Sequence, residues 1–249
     1  MKTENNLALL YDDNCPLCAA YTKAFIKTGL LSREKRLAFS TINIRDFEMD
    51  INRARHEIPL VNMKTGDVKY GVDALAEILN QRMPFVKPIL CIGSVYWFFK
   101  KLYSFISYNR KIIVAKPSFS KSCFDCSPDY SFKHRIALVF FTWTATAFLL
   151  MQIGKTWFPP ADIAWFFGWP IATLILSADK TQQQSADIWV HSGITMLLST
   201  IIFSISLNFF SWLFTFSMPV IVVSCIISGL LFRQQISRRM QFYMNEFSA

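Results

Sequence analysis

The chain has 249 residues, of which 53% are hydrophobic, 16% aromatic and only 17% charged, and its formal net charge is +9. Soluble domains are about 25% charged, so this composition excludes a single soluble domain of ordinary type. The deficit is concentrated in residues 136–232, which hold five charged side chains, whereas residues 1–135 hold 21 Lys or Arg and 13 Asp or Glu. The sequence therefore predicts a soluble N-terminal domain followed by membrane spans.

The first predicted elements are a strand, Leu7–Tyr11, and a helix that begins at a Cys-x-x-Cys motif, Cys15 to Cys18. No signal-peptide pattern precedes them, so we expect the domain to stay where it is made. Backbone N–H groups at a helix N-terminus stabilise a thiolate, so Cys15 should ionise readily and be reachable from solvent. Cys18 lies one turn further on the same face, and Pro16 suits the first helical position. The context favours redox chemistry over two structural cysteines or half of a metal site.

Hydrophobic periodicity and turn signals predict the other elements of the soluble domain. They are a strand over 37–44, a helix over 45–55, hairpin strands over 60–63 and 68–70, and a helix over 72–79. The order strand, helix, strand, helix, hairpin, helix is typical of a thioredoxin-like α/β fold. In that architecture a cis-proline starts the hairpin and faces the cysteine pair, and Pro59 occupies that position. An ordinary trans proline is the alternative.

The stretch Tyr11-Asp12-Asp13-Asn14-Cys15-Pro16-Leu17-Cys18 resembles the signature of the DCC family, predicted thiol-disulfide oxidoreductases named for an Asp-Cys-Cys pattern. The family's aspartate falls on Asp12 and its two cysteines fall on Cys15 and Cys18. The family usually has glycine where this chain has Asp13.

Two weaker matches extend the resemblance to residues 5 to about 115: Gly71-Val72-Asp73-Ala74-Leu75 and Tyr108-Asn109-Arg110. The resemblance implies a thioredoxin-like fold and dithiol chemistry, and it does not identify a substrate. We expect no cofactor.

Asp12 has two candidate roles beside the cysteine pair. A partly buried carboxylate near a thiol has a raised pKa, so Asp12 is a candidate proton acceptor for Cys18 during exchange. The alternative, which we favour at this stage, is that the Asp12 carboxylate caps the helix by accepting hydrogen bonds from the backbone N–H groups of its first turn.

Residues 84–115 are basic and aromatic. The segment 95–103 reads as a helix with aromatic side chains beside the paired Lys100 and Lys101, and Lys100 to Arg135 holds eight Lys or Arg and two Asp. Such a segment just before a span favours an anionic lipid surface over nucleic acid. The alternative is that this helix packs on the thioredoxin-like sheet. Both interpretations hold if one face of the helix contacts lipid and the other contacts the sheet.

A second Cys-x-x-Cys, Cys123 and Cys126, lies about ten residues before the first predicted span. It is a dithiol that relays electrons to Cys15 and Cys18, or half of a four-cysteine zinc site with that pair, or two loop thiols. The 104 residues between Cys18 and Cys123 do not suit a small zinc knuckle, so we favour the relay. Cys91 and Cys225 lie in apolar surroundings and are predicted to be buried.

Four apolar segments predict four membrane spans. They cover 136–153, 163–178, 188–207 and 212–232, and Pro170 makes the second either kinked or extended through Pro160. Lys and Arg flank the first span and follow the last, which places the soluble domain and both termini in the cytoplasm of a plasma or inner membrane protein. His191, near the start of the third segment, is a functional candidate or, as we prefer, an interfacial anchor.

The predicted domains are thus 1–115 (thioredoxin-like), 116–135 (basic linker), 136–232 (transmembrane) and 233–249 (basic tail). We predict a membrane-anchored thiol-disulfide oxidoreductase in which Cys15 attacks a disulfide and Cys18 resolves the intermediate. The expected partners are protein or small-molecule thiols and disulfides, the lipid bilayer and a membrane protein, with no nucleic acid and no metal. The alternatives are a non-catalytic docking module of a membrane assembly, a four-cysteine zinc protein and, least favoured, a quinone-linked carrier.

Overall fold

The chain folds into two compact units, each with its own secondary structure. Of the described elements, the strands and the helices up to Val114 belong to the first unit, and the helices from Phe132 onward belong to the second. The computed structural model describes residues 6–43, 47–115, 128–156, 161–213 and 217–247.

The first unit is a small mixed sheet with helices. Its strands are β1 (Leu7–Tyr11), β2 (Arg36–Ala38), β3 (Pro59–Asn62) and β4 (Val68–Tyr70). Its helices are α1 (Pro16–Lys27), α2 (Ile51–His56), α3 (Gly71–Asn80), α4 (Val86–Leu90) and α5 (Gly93–Val114). The strand order is β2-β1-β3-β4, with β1 parallel to β2 and antiparallel to β3, and β3 antiparallel to β4. This topology is consistent with the predicted thioredoxin-like fold.

Both faces of the sheet are covered, because alternate residues of β1 point to opposite sides. Leu9 and Tyr11 belong to a core that α1 and α3 also supply, whereas Leu10 belongs to a second core with Phe39 and Ala54. β1 is therefore an interior strand buried on both sides. It holds the loop that leads into α1 at a fixed place at the end of the sheet.

The predicted hairpin and its following helix are confirmed, but the segment between α1 and the hairpin differs from the prediction. The strand predicted over 37–44 ends at Ala38, because the chain turns into a short 3-10 helix, Phe39–Thr41, that buries the Phe39 ring in the second core. The helix predicted over 45–55 begins only at Ile51. Its N-cap is Asp50, whose Oδ1 accepts the Arg53 N–H at 3.1 Å.

Helix α5 is longer than the predicted 95–103 and packs inside the first unit against α1, α2 and α3. Its inward side chains include Tyr103, Ser107 and Arg110. The Ser107 hydroxyl donates to the His56 backbone oxygen, and Arg110 Nη2 donates to the Arg55 oxygen at 3.1 Å. These bonds fix α5 to the end of α2. The helix therefore packs on the domain, but against helices α1, α2 and α3 and not on the sheet that the alternative named.

The second unit is helical. Its helices are α6 (Phe132–Thr156), α7 (Ala161–Ser177), α8 (Gln182–Leu213) and α9 (Ser217–Phe247). Among the described residues, three stretches are long and apolar enough to cross a membrane: Phe132–Ile153, Gln182–Phe210 and Val220–Phe242. The prediction of four spans is therefore met for three. In the part of α7 whose side chains are described, the apolar stretch is the shorter Gly168–Ser177, and Pro170 lies inside that helix.

Charged side chains that flank the predicted apolar segments are buried, or nearly so, in contacts between these helices. Arg135 Nε lies 2.8 Å from Asp187 Oδ1, and Arg239 Nη1 lies 3.3 Å from His191 Nδ1. The helices extend beyond the apolar segments, so residues predicted to lie outside the spans are buried where the helices contact each other. The tail expected from residue 233 is likewise part of α9. His191 is buried beside Arg239, and its role, functional or interfacial, stays a prediction.

Candidate redox site

The site is built where β1 passes into α1. Cys15 occupies the N-cap position of α1 with extended backbone angles, and Pro16 is the first helical residue, as predicted. The Cys18 backbone N–H donates to Cys15 Sγ at 3.4 Å, one of the bonds that a helix N-terminus leaves available. Both cysteines are present as thiols. The strand therefore delivers one sulfur to the helix end, and the first turn of the helix brings the other beside it.

The two thiols differ strongly in acidity. A hydrogen bond from the Cys18 thiol, together with the Cys18 backbone N–H and the Arg110 charge, lowers the pKa of Cys15 to about 7, against the opposing effect of burial. The hydrogen bond to Cys15 and then burial raise the pKa of Cys18 far above its usual range. Near neutral pH Cys15 is therefore about half in the thiolate form, whereas Cys18 keeps its proton. This is the arrangement that a nucleophile and a resolving thiol need.

The expectation that the Cys15 sulfur is open to solvent is wrong for this conformation. Cys15 is 2% exposed and Cys18 is 4% exposed. An N-cap residue next to an interior strand is surrounded by the domain on most sides, which explains the burial. The side chains that cover Cys15 must therefore move before a disulfide substrate can contact its sulfur.

Asp12 stands before the turn that leads to Cys15. Its Oδ1 accepts the Asn14 N–H at 3.0 Å, and its backbone oxygen accepts the Cys15 N–H at 3.3 Å. The N-cap position itself belongs to Cys15, so Asp12 orders the turn and does not cap α1. Burial raises the pKa of the Asp12 carboxyl, although the Arg110 charge and the Asn14 bond oppose this. Its candidate role as a proton acceptor stays a prediction.

Asp13 replaces the glycine usual in the family without straining the turn. Among the described non-glycine residues only Ala115 has a positive φ, so Asp13 needs no special backbone freedom. Its Oδ2 accepts the Ser40 hydroxyl at 2.7 Å. This bond joins the turn to the 3-10 helix that follows β2.

Arg110 is the main residue of the site that the sequence did not identify. Its side chain is buried, and its Nη2 lies 3.7 Å from Asp12 Oδ2. The guanidinium charge lowers the pKa of Cys15 and of Asp12. The sequence carried one signal, the family match Tyr108-Asn109-Arg110, but it did not give the arginine a role. Its position on the buried face of α5, with Tyr103 and Ser107, brings it to the cysteines.

Two tyrosines also surround the pair and were not predicted. Tyr21, one turn after Cys18 in α1, is partly buried against the first core, and desolvation raises its pKa well above the usual value. Tyr103 Oη, on α5, accepts the Ile58 N–H at 2.8 Å. Burial raises the pKa of Tyr103 as well, so both phenols stay protonated. They line the Cys18 side of the site with neutral rings.

Pro59 begins β3, and the peptide bond before it is trans, as are the other peptide bonds of the described residues. The trans alternative is the one observed. The register pairs Leu9 with Leu60, so Pro59 lies beside the end of β1 from which the chain leaves for Cys15. A catalytic role for Pro59 stays a prediction.

The other cysteines divide into two cases. Cys123 and Cys126 lie outside the described residues, so their relay or zinc role stays a prediction. The expectation that Cys91 and Cys225 are buried is wrong, because both are exposed. Each lies among outward-facing apolar side chains. Within the described part of the chain, no group of three or more His, Cys, Asp or Glu is placed to hold a metal ion.

Comparison with known protein families gives a match in the first unit. Residues 9–116 match the model of the family described as DCC1-like thiol-disulfide oxidoreductase. Neither the search of curated proteins nor the search of solved structures gave a match. The matched range contains Asp12, both cysteines and Arg110, so every group of the site just described lies inside it.

Proposed function

Since residues 9–116 form a DCC1-like thiol-disulfide oxidoreductase domain, we propose that the chain is a membrane-anchored thiol-disulfide oxidoreductase with Cys15 and Cys18 as its dithiol. One observation carries the proposal: Cys15 Sγ sits at the start of α1, accepts the Cys18 N–H at 3.4 Å and has a pKa near 7. The substrates are compounds or proteins that contain a disulfide.

The proposed exchange has two steps. The Cys15 thiolate attacks one sulfur of the substrate disulfide, a Cys15–substrate disulfide forms, and the other substrate sulfur leaves as a thiolate. Cys18 then loses its proton and attacks Cys15 Sγ, so that the Cys15–Cys18 disulfide forms and the second substrate sulfur leaves. The dithiol loses two electrons and the substrate gains them, and the Cys18 proton ends on a released sulfur. An external thiol reductant restores the dithiol.

We assign the transfer of the Cys18 proton to Asp12. The support is its burial, the raised pKa that follows from it, and its electrostatic interaction with Cys18. A carboxylate with a raised pKa is a better proton acceptor than an exposed one. The Arg110 charge beside it opposes the rise of this pKa.

We propose that Cys123 and Cys126 exchange electrons with the first pair, and that the domain and both termini lie in the cytoplasm. The charge pattern supports the second point: 21 of the 26 Lys and Arg precede residue 136 and the last ones follow residue 232. In a reducing cytoplasm a Cys15–Cys18 disulfide is transient and catalytic. Quantitative zinc analysis of the full chain tests the relay, because bound zinc at these cysteines would replace it.

The test of the redox function uses the purified full chain in detergent. It should accelerate the reduction of insulin disulfides by dithiothreitol, which is followed by turbidity. Cys15→Ser should abolish the acceleration, and Cys18→Ser should trap an adduct between Cys15 and insulin that mass spectrometry identifies. Cys91→Ser, at an exposed cysteine, is the matched control and should behave like the unaltered chain. Full acceleration by Cys15→Ser would contradict the proposal.

A further inference from the structure

The first unit carries an unusually apolar surface on α4 and α5. Nine large apolar side chains between residues 83 and 106 are exposed, with Trp97 at 62% the most exposed of them. They are Met83, Phe85, Ile89, Ile92, Trp97, Phe98, Phe99, Leu102 and Ile106. We call this surface the α4–α5 face. Soluble domains seldom expose so many neighbouring apolar groups unless the surface binds something.

The pattern along α5 shows that this face is a continuous helix side. Phe98, Leu102 and Ile106 are spaced four residues apart, and Phe99 lies three residues before Leu102, so they line one side of the helix. The other side carries Tyr103 and the groups that bind α2 and Asp12. Helix α5 therefore uses one side to complete the redox domain, and its second apolar side has no place in the domain core.

The charged residues of the segment that carries the α4–α5 face are all basic, while the carboxylates of Asp73 and Glu77 on α3 contact Tyr96 and Lys87. Residues 84–115 contain five Lys or Arg and no Asp or Glu. Lys100 and Lys101 are exposed in the middle of α5, and Lys100 Nζ lies 5.9 Å from the Tyr96 ring centroid. Lys87 contributes less, because its Nζ lies 3.1 Å from a carboxylate oxygen of Glu77. Aromatic rings beside exposed lysines are the composition of helices that lie in the headgroup layer of anionic membranes.

We propose that the α4–α5 face docks the redox domain onto an anionic phospholipid surface. Its aromatic and aliphatic side chains enter the boundary of the acyl chains, and Lys100 and Lys101 meet the lipid phosphates. The same chain holds three helices long enough to cross a membrane, the first beginning at Phe132. If these helices span a bilayer, as we propose, they tether the redox domain to it, and tethering raises the effective concentration of lipid and makes modest affinity sufficient.

The test uses the full chain in nanodiscs, which leave both membrane faces open to reagents. Cys91, exposed between α4 and α5, is the probe: its labelling by a neutral polyethylene glycol maleimide is followed by peptide mass spectrometry. Labelling should be slower in discs of mixed phosphatidylcholine and phosphatidylglycerol than in discs of phosphatidylcholine alone. Each lysine near an anionic surface shifts the docking equilibrium about fivefold, so Lys100→Gln/Lys101→Gln should weaken docking about 30-fold and restore fast labelling.

Lys23→Gln/Lys27→Gln is the matched control, since it removes two exposed charges from α1 and should leave the lipid dependence intact. Equal labelling of the unaltered chain in both kinds of disc would overturn the proposal. Equal protection in detergent and in both discs would also overturn it, because a protein surface would then cover the face. Insulin reduction by the Lys100→Gln/Lys101→Gln variant in detergent should be unchanged, which separates this proposal from the redox function.

Discussion

Arg110 and Asp12 form a buried ion pair in which Nη2 of the guanidinium lies 3.7 Å from Oδ2 of the carboxylate. The two residues stand near opposite ends of the redox domain in sequence, and α5 brings them together beside the cysteines. The pair sets two opposing charges next to Cys15: the arginine lowers its pKa and the aspartate raises it. Each charge can be removed separately, and the expected effects on Cys15 have opposite signs.

Replacing Arg110 by Gln should make Cys15 less acidic. The substitution removes a positive charge that stabilises the thiolate, so the midpoint of the pH profile for Cys15 alkylation should rise by up to about one pH unit. Alkylation of the full chain, followed by mass spectrometry of the Cys15 peptide, measures this midpoint. Arg110→Lys keeps the positive charge, so its Cys15 alkylation midpoint should stay close to that of the unaltered chain.

Lys64→Gln is the matched control for Arg110→Gln, because it removes one exposed charge from the hairpin turn. The register of β1 with β3 places that turn at the end of the sheet away from Cys15. An unchanged midpoint in Arg110→Gln, with the fold intact by circular dichroism, would show that Arg110 does not act on the thiolate.

Asp12→Asn should separate the two effects of this carboxylate. Asn can still accept the Asn14 N–H, so the turn should be kept. Loss of the negative charge should move the alkylation midpoint of Cys15 to lower pH, while loss of the proton acceptor should slow the attack of Cys18 on the mixed disulfide. Rapid-quench mass spectrometry should therefore show more Cys15–insulin adduct at steady state than in the unaltered chain. A lowered midpoint with no extra adduct would remove Asp12 from the proton transfer.

Gly71, the first residue of α3, should not tolerate a side chain. Its φ is +57°, and an added Cβ would lie 3.2 Å from the Glu57 carboxyl group. Left-handed backbone costs a residue with a Cβ about 1–2 kcal/mol, so Gly71→Ala should lower the apparent unfolding temperature of the full chain in detergent. Gly93→Ala is the control, because Gly93 has no positive φ and no atom within 4 Å of an added Cβ. Equal unfolding temperatures for the two variants would contradict this account.

Local signals in the sequence were sufficient for the elements that depend on neighbouring residues. The Cys-x-x-Cys at the start of α1 and the hairpin around Gly66 follow from helix and turn chemistry alone. The sequence predicts too long a strand after α1, because the alternating pattern of apolar residues continues past Ala38. Only the three-dimensional core shows that the Phe39 ring is better buried by a turn.

Long-range contacts account for what the sequence could not give. The inner and outer sides of α5 are both rich in apolar residues, so periodicity alone did not place Arg110 against Asp12. The buried charges of the second unit were missed for a similar reason. Asp187 and Arg239 flank apolar segments in sequence, yet their helices continue through them and bury both. The sequence also predicts a solvent-exposed Cys15, whereas the structure buries it, because burial depends on the surrounding fold.

The acidity of Cys15 is the property on which the proposed chemistry depends, and its alkylation rate as a function of pH tests it most directly. The unaltered full chain is reacted with iodoacetamide over a range of pH, and the Cys15 peptide is quantified. Because the thiolate is the reactive form, the rate should rise with pH to half its plateau near pH 7. A midpoint at the ordinary value for a cysteine thiol, about 8.5, would contradict the account.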